Sequence, residues 1–267
     1  MAERVACDTE PRLARGSTPF RHGGTRQSEG SESAMSIERW GKGLLALLLL
    51  IPAVSLHAAC VDSVVLVHGN TGSPGDFQNT YNALVQHGYT DAQIYAPSWG
   101  NALCAACNDH NGSEETPVAN ALKAAIAGSC TGRIDVLGHS MGATLAAHEI
   151  DKLGLSGKVD VFVGIAGAFH GLWSCGTYPF NVATSTCGYW GLSVGSPLLG
   201  SLAGKRFGQK MYSIKSWIDE INCYGGVCTV GGVHTSSIDG ENGSLTYAYG
   251  HYGLLWYTAA DQVSLLQ

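Results

Sequence analysis

Residues 134 to 150, IDVLGHSMGATLAAHEI, pass from an apolar, β-branched run straight into a pattern with helical spacing. Ser140 stands at the junction, between Gly138 and Gly142. A G-x-S-x-G at the join of a strand and a helix is the signature of a nucleophile elbow. The turn is so sharp that the serine takes a strained backbone and its flanking residues must be small. The hydroxyl is then raised above the sheet at a helix N-terminus, where amide groups and the helix dipole stabilise negative charge. In a chain with 36 glycines the pentapeptide arises readily by chance, so its strand-and-helix context carries the inference.

Serine is a weak nucleophile, and a base held by an orienting acid has to reach it. With this elbow the chain order is serine, acid, histidine, and the histidines after Ser140 are His148, His170, His234 and His251. His148 belongs to the elbow helix and points away. His251, in YGHYGLLWY, precedes the closing helix, where a loop off the final strand would put it; His234 is the runner-up. For the acid, Asp219 ends the strand MYSIKSWIDE at its carboxyl end, strand alternation turns Glu220 elsewhere, and Asp239 and Asp160 are weaker choices. The stretch VHGNTGSPGDF supplies the other component. A His-Gly turn after the first strand frees amides to face the cleft, so the expected oxyanion donors are the backbone N–H groups of Asn70 and Met141. His68 and His139 are read as props for their turns. No metal site and no cofactor are expected, since no cluster of ligands for an ion such as calcium appears.

These residues need a scaffold, and the chain alternates its elements accordingly. VDSVVLVHG (61 to 69) reads as a strand buried on both faces, and QNTYNALVQHGY (78 to 89) as a helix. AQIYAPSW (92 to 99) reads as a strand, and TPVANALKAAIAG (116 to 128) as a helix capped by Thr116 with Pro117 in its first turn. RIDVLG, MGATLAAHEIDKLG and KVDVFVGIAG repeat strand, helix, strand. GQKMYSIKSW follows as a strand and HYGLLWYTAADQVSLL as the closing helix. The alternation implies an open parallel α/β sheet with helices on both faces and a ligand site beyond the carboxyl ends of the strands. Residues 168 to 208, rich in Gly, Ser, Thr and aromatics, break the rhythm. They read equally as an aromatic wall over the site or as a hydrophobic cluster under a loop.

Composition bounds the function. At 267 residues and 45% hydrophobic content the chain holds one large core. From Cys60 onward there are eight basic and fifteen acidic residues, which gives no electrostatic footprint for nucleic acid or for an anionic membrane. Residues 1–34 lack apolar periodicity and are expected to be a disordered or non-native leader extension. Residues 35–59 carry a basic start, the apolar run LLALLLLIPAVSL and a small-residue end, and are expected to be a signal peptide. The run is too short for a membrane span and contains Pro52, so the domain at 60–267 is expected to be exported, with no stable membrane insertion and as a monomer. Nine cysteines become eight once Cys7 is removed with the leader. An even number in an exported chain suggests disulfides. Neighbours pair most economically as Cys175 with Cys187 and Cys223 with Cys228. Cys104 with Cys107 is a structural bridge rather than a zinc or redox motif, and Cys60 with Cys130 is the remainder.

VVLVHGNTGSPGDF, GYTDAQIYAPSW, IDVLGHSMGATLA, YSIKSWIDEI and GHYGLLW together resemble the bacterial lipases of class 2, small secreted α/β-hydrolases, over most of residues 61 to 262. The resemblance implies an α/β-hydrolase fold, with Ser140 as nucleophile, Asp219 as acid, His251 as base and Asn70 and Met141 as oxyanion donors. It implies a carboxylic ester hydrolase acting on an ester or lipid substrate. The 168 to 208 segment exceeds the smallest family members, so the alternatives are a depolymerase of polyhydroxyalkanoate or other polyester, working at a polymer surface, and an inactive secreted binding protein.

Overall fold

The computed structural model describes residues 60–180 and 182–267; the leader and signal-peptide expectations fall outside them. In chain order the strands are β1 (Ser63–Val67), β2 (Ile94–Tyr95), β3 (Ile134–His139), β4 (Val159–Ile165), β5 (Leu172–Thr177), β6 (Ser193–Val194), β7 (Lys210–Lys215), β8 (Thr229–Val230), β9 (Val233–His234) and β10 (Gly243–Thr246). The helices are α1 (Gln78–Gln86), α2 (Glu115–Gly128), α3 (Met141–Lys152), α4 (Pro197–Leu202), α5 (His251–Tyr257) and α6 (Ala259–Ser264).

Six strands form one sheet in the order β10-β7-β4-β3-β1-β2, and every neighbouring pair in it is parallel. The fold is that of an α/β-hydrolase. β1 and β3 are buried along their whole length, as expected of parallel strands covered on both faces. Side chains alternate between two cores. Val65, Val67, Ile134 and Val136 meet α2 and α3 on one face, while Val64, Leu66, Leu137 and Ile165 meet α1, α5 and α6 on the other. Each large side chain buried this way contributes roughly 1.5–3 kcal/mol.

The strand order decides where a ligand can sit. From β1 the chain steps outward to β2 and then returns to the opposite side of β1 as β3, so connections diverge between β1 and β3. Such a switch point leaves a crevice at the carboxyl ends of the two strands. The loop after β1 and the turn after β3 both open there.

Several elements differ from the sequence reading. The second strand shrinks to two residues, because beyond Tyr95 the chain leaves β1 and enters the Trp99–Cys107 loop. α2 starts at Glu115 with no side-chain cap; Thr116 lies inside the helix and its hydroxyl donates back to the Gly112 carbonyl at 3.3 Å. The closing helix is two helices broken at Thr258, whose hydroxyl donates to the Leu254 carbonyl at 2.6 Å and accepts from Gln262 at 2.9 Å. β7 stops at Lys215, so Asp219 lies in a turn beyond the strand rather than at its end. The described part of residues 168–208 contains regular elements: β5 pairs with β6 in parallel, and α4 follows. Phe169, Leu172, Leu192 and Leu199 of this segment join the core, while Trp173, Phe180 and Tyr189 stay exposed. Cysteines pair as 60–130, 104–107, 175–187 and 223–228. Among the described residues no helix is long and apolar enough to cross a membrane.

Between α2 and α3 lies an ionic group in which Glu115, His148 and Glu149 are buried and Lys152 is half-exposed. Lys152 Nζ donates to Glu115 Oε1 at 2.7 Å and stands 3.8 Å from Glu149 Oε1, with His148 Nε2 3.1 Å from Glu115. Burial first, then the charge of Glu115, pushes the Glu149 carboxyl from 4.5 up to about 7, against the pull of Lys152. The folded chain therefore holds a proton that the unfolded chain releases. The resulting stability is fully present below about pH 4.5 and is lost as the pH rises through about 7. Glu149→Gln, which cannot ionise, is expected to melt with the parent at pH 4 and several degrees above it at pH 8. Thermal unfolding at the two pH values checks this, and equal midpoints at both would remove Glu149 from the account.

Candidate active site

The turn after β3 is where the backbone is most constrained. Ser140 has φ 55° and ψ −132°, a left-handed conformation that a non-glycine residue keeps only when its surroundings impose it. Its amide donates to the Ile165 carbonyl at 2.8 Å and its carbonyl accepts from Ala143 at 3.0 Å. Both flanking glycines are required by contact. A Cβ on Gly138 would stand 2.4 Å from the Ala143 Cα, and one on Gly142 would stand 2.0 Å from the His68 carbonyl oxygen and 2.5 Å from that of Val67. The first turn of α3 is thus pressed against the end of β1. A third glycine follows the same logic: a Cβ on Gly69 would lie 3.0 Å from Ser140 Cβ.

Ser140 Oγ lies 2.8 Å from His251 Nε2, and His251 Nδ1 lies 2.9 Å from each carboxylate oxygen of Asp219. The three side chains come from the turn after β3, the first residue of α5 and the turn after β7. Asp219 is fully buried. Burial alone would raise its carboxyl, but the bond to His251 and the amides of Asn222 and Ile221 outweigh that and hold it below the ordinary carboxylate value. Those amides reach Asp219 Oδ1 at 2.9 and 3.0 Å. With the carboxylate ionised and bonded to Nδ1, the imidazole keeps its proton there and presents Nε2 as an acceptor to the serine hydroxyl. The arrangement can deprotonate Ser140 as it attacks an electrophile. Met141, the first residue of α3, has an amide outside the helical ladder. Asn70 follows Gly69, where an added Cβ would crowd Ser140.

The other candidates lie elsewhere. His234 Nε2 donates to the Ser216 carbonyl at 3.0 Å while its Nδ1 accepts from the Ser236 amide at 3.1 Å, so both ring nitrogens are used by backbone groups. His148 faces Glu115, Asp160 pairs with Arg133, and Asp239 accepts from the Gly204 amide at 2.9 Å. His68 is wholly buried, 2.8 Å from the Gly69 carbonyl and 3.2 Å from the Trp99 amide. His139 packs 4.9 Å from the His251 ring. Burial, then the nearby His251, drives His139 down to about 3, and burial lowers His68 as well. Both stay neutral beside the serine.

Two contributors escaped the sequence reading. Glu220 is not turned away. The strand has already ended, and Glu220 Oε2 accepts from the His251 amide at 2.9 Å, so it anchors the start of α5. A Cβ on Gly250 would meet that oxygen at 2.6 Å, which accounts for the glycine before His251. Asn222 Nδ2 is the second, donating to Asp219 Oδ2 at 3.1 Å, Ala166 O at 2.8 Å and Ser236 Oγ at 3.0 Å. Its one visible signal was its place three residues after an acid. Three groups of the described residues have the spacing of metal ligands. The cysteines in two of them are disulfide-bonded, and the third, Glu115 with His148 and Glu149, already holds the Lys152 ammonium.

A family model described as "Lipase (class 2)" matches residues 62–264. No curated protein matches the chain. Among solved structures, the mature form of Bacillus licheniformis lipase BlEst2 aligns with TM-score 0.55 at 12% identity, covering 77% of this chain and 91% of that one. The propeptide form gives 0.54 at 13%, with 73% and 47% covered. Phospholipase PlaB from Legionella pneumophila in complex with thio-NAD gives 0.39 at 18%, over 59% of this chain. The chain spans 38% of PlaB's length and 47% of that of the propeptide form. At such identities the likeness to BlEst2 is one of fold.

Asn222→Ala removes one donor from Asp219 and the tie to Ala166, leaving buried acceptors unpaired, a loss of about 1–3 kcal/mol. Labelling of Ser140 by a fluorophosphonate is expected to slow by about tenfold or more, as followed by mass spectrometry. An unchanged labelling rate would mean that Asn222 does nothing for the serine.

Proposed function

The chain belongs to the class 2 lipase family, and from that premise we propose that it is a secreted serine ester hydrolase in which Ser140, His251 and Asp219 carry the chemistry. As a member of that family it is a lipolytic carboxylic ester hydrolase; the mechanism, the residues and the export are the proposal. The observation that carries it is the unbroken series from Ser140 Oγ through His251 to both oxygens of a buried Asp219.

The reaction has two acyl transfers. Ser140 Oγ attacks the ester carbonyl carbon as His251 Nε2 takes its proton. The tetrahedral oxyanion accepts from the amides of Asn70 and Met141, each such donor being worth about 10²- to 10³-fold in rate. Collapse breaks the bond to the alcohol, which leaves with the proton from His251. Water then attacks the acyl-enzyme, gives its proton to His251, and Ser140 recovers it as the acid departs. Asp219 holds the tautomer and stabilises the imidazolium in both halves.

Export through residues 35–59, leaving a catalytic domain at 60–267, is supported by four disulfides, a pattern of oxidising compartments. A polyester substrate is the second reading. It is favoured by apolar side chains exposed near the site in sequence: Trp217 and Ile218, 58% and 60% exposed, just before Asp219, and Tyr252, which follows His251. Tyr252 stacks on Trp256 with ring centroids 5.3 Å apart. Exposed apolar side chains of this kind suit an insoluble ester as well as a dispersed one.

The full chain is expected to hydrolyse p-nitrophenyl butyrate, and Ser140→Ala to lose at least about 10⁴-fold in kcat. The ratio of butyrate to palmitate turnover, set beside weight loss of a polyhydroxybutyrate film, assigns the acyl class. A parent inert toward all three, with Ser140 unreactive to fluorophosphonate, would overturn the proposal.

A further inference from the structure

The loop that carries Asn70 is a strained turn held from outside. Gly72 N donates to the Gly69 carbonyl at 3.0 Å and closes the turn. Its third residue, Thr71, has φ 58°, a position that favours glycine and that a β-branched residue avoids. Thr71 Oγ1 donates to the Asn70 carbonyl at 2.7 Å, a bond inside the turn. Strain of about 1–3 kcal/mol persists only where neighbours over-determine the conformation.

Those neighbours converge on one side chain. Asn108 is completely buried. Its Nδ2 donates to Asn70 Oδ1 at 2.5 Å and to the Asn101 carbonyl at 3.1 Å, and its Oδ1 accepts from the Asn101 amide at 2.7 Å. Asn70 Nδ2 in turn donates to the Ala105 carbonyl at 3.0 Å, between the bridged cysteines 104 and 107. Thr186, in the segment pinned by the Cys175–Cys187 disulfide, donates through Oγ1 to the Asn108 carbonyl at 2.6 Å and to that of Ala105. Both polar atoms of the Asn70 side chain are therefore bonded to the 105–108 stretch, and the loop is held by a hub that includes none of the three residues Ser140, Asp219 and His251.

We infer that Asn108 is a positioning residue for the oxyanion hole: by gripping the Asn70 side chain it aims the Asn70 amide at the developing charge, and Thr186 couples the 168–208 segment to the same task. This rests on the reading of Asn70 as a donor and Ser140 as the nucleophile. Three otherwise unexplained features then share one purpose, namely the Cys104–Cys107 bridge, the completely buried asparagine and the threonine contact across 78 residues. An amide misaimed by 1 Å loses most of its effect on the transition state while leaving ground-state binding intact.

The test uses the full chain with Asn108→Ala, Asn108→Asp, the milder Thr186→Val and Ser140→Ala. Active sites are counted by fluorophosphonate titration, kcat and KM are measured on p-nitrophenyl butyrate, and the inhibition constant is taken for butylboronic acid, whose serine adduct places an oxygen in the oxyanion hole. Expected per titrated site is a fall in kcat of about 10- to 100-fold for the Asn108 variants and less for Thr186→Val, with KM within about twofold and boronate affinity falling in step with kcat/KM. A merely structural residue would lower the titrated fraction and the melting temperature with kcat per site and boronate affinity unchanged, and that result overturns the inference. Should Asn108→Ala fail to fold, Thr186→Val decides by the same criteria. Ser140→Ala retaining turnover would instead sink the reading of the nucleophile, an outcome distinct from a failure at Asn108.

Discussion

The close approach of α3 to the end of β1 is the constraint on which the site depends. At Gly142 the helix backbone lies where a single methyl group would enter the van der Waals radius of two carbonyl oxygens. Only from that distance can the β3 turn be sharp enough to lift Ser140 into the crevice, and only a serine forced to φ 55° projects there. Such strain amounts to about 1–3 kcal/mol. It is offset by a helix whose residues from Met141 through Ile150 are all buried. The small side chains of Ala143, Ala146 and Ala147 let α3 settle onto the sheet at this short range, so packing of the core and presentation of the hydroxyl are one fact.

Around that turn the molecule fixes loops with covalent and polar ties rather than with secondary structure. The Cys104–Cys107, Cys175–Cys187 and Cys223–Cys228 bridges follow β2, β4 and β7, all at the carboxyl ends of strands where the crevice opens. Cys60–Cys130 ties the opposite end, ahead of β1 and β3. By closing a loop across 70 residues it restricts the unfolded chain, by roughly 4 kcal/mol on the chain-entropy account. Disulfides thus divide between a staple for the whole domain and braces for individual site loops. The turn from Asp219 to Cys223 is the clearest brace. Cys223 N donates to the Asp219 carbonyl at 2.8 Å, so the bridge begins on the residue that closes the acid's own turn.

Electrostatically the crevice sets the charged Asp219 beside two neutral histidines. Asp219 keeps its charge because amides and an imidazole meet it, despite complete burial. His68 and His139 are kept neutral by burial. A second cation beside Ser140 would compete for the carboxylate, and the fold supplies none from these two rings. The exposed aromatics beside His251 add apolar surface without charge, which fits a substrate whose own reacting group is uncharged.

The residues by themselves made the scaffold legible wherever local pattern and global burial coincide. β1, β3 and β4 are continuous apolar runs because both their faces are covered, and Gly138 and Gly142 announce the elbow because sterics forbid anything larger. Serine and histidine stand at the ends of recognisable elements, and the chain order that goes with the elbow set the acid between them. Register, strand ends and second contacts were not legible. β2 stops after two residues, and β7 ends before Asp219. Glu220, Asn222 and Asn108 are ordinary polar residues in sequence. Glu220 and Asn222 acquire their roles from a distant backbone amide and carbonyl, and Asn108 acquires its role from the side chain of Asn70. The sequence by itself therefore determined the fold class, the elbow and the types of residue available to it. Tertiary structure alone decided which of them meet and what holds them, because hydrogen-bond partners more than 30 residues apart are selected by packing and leave no periodic trace in the chain.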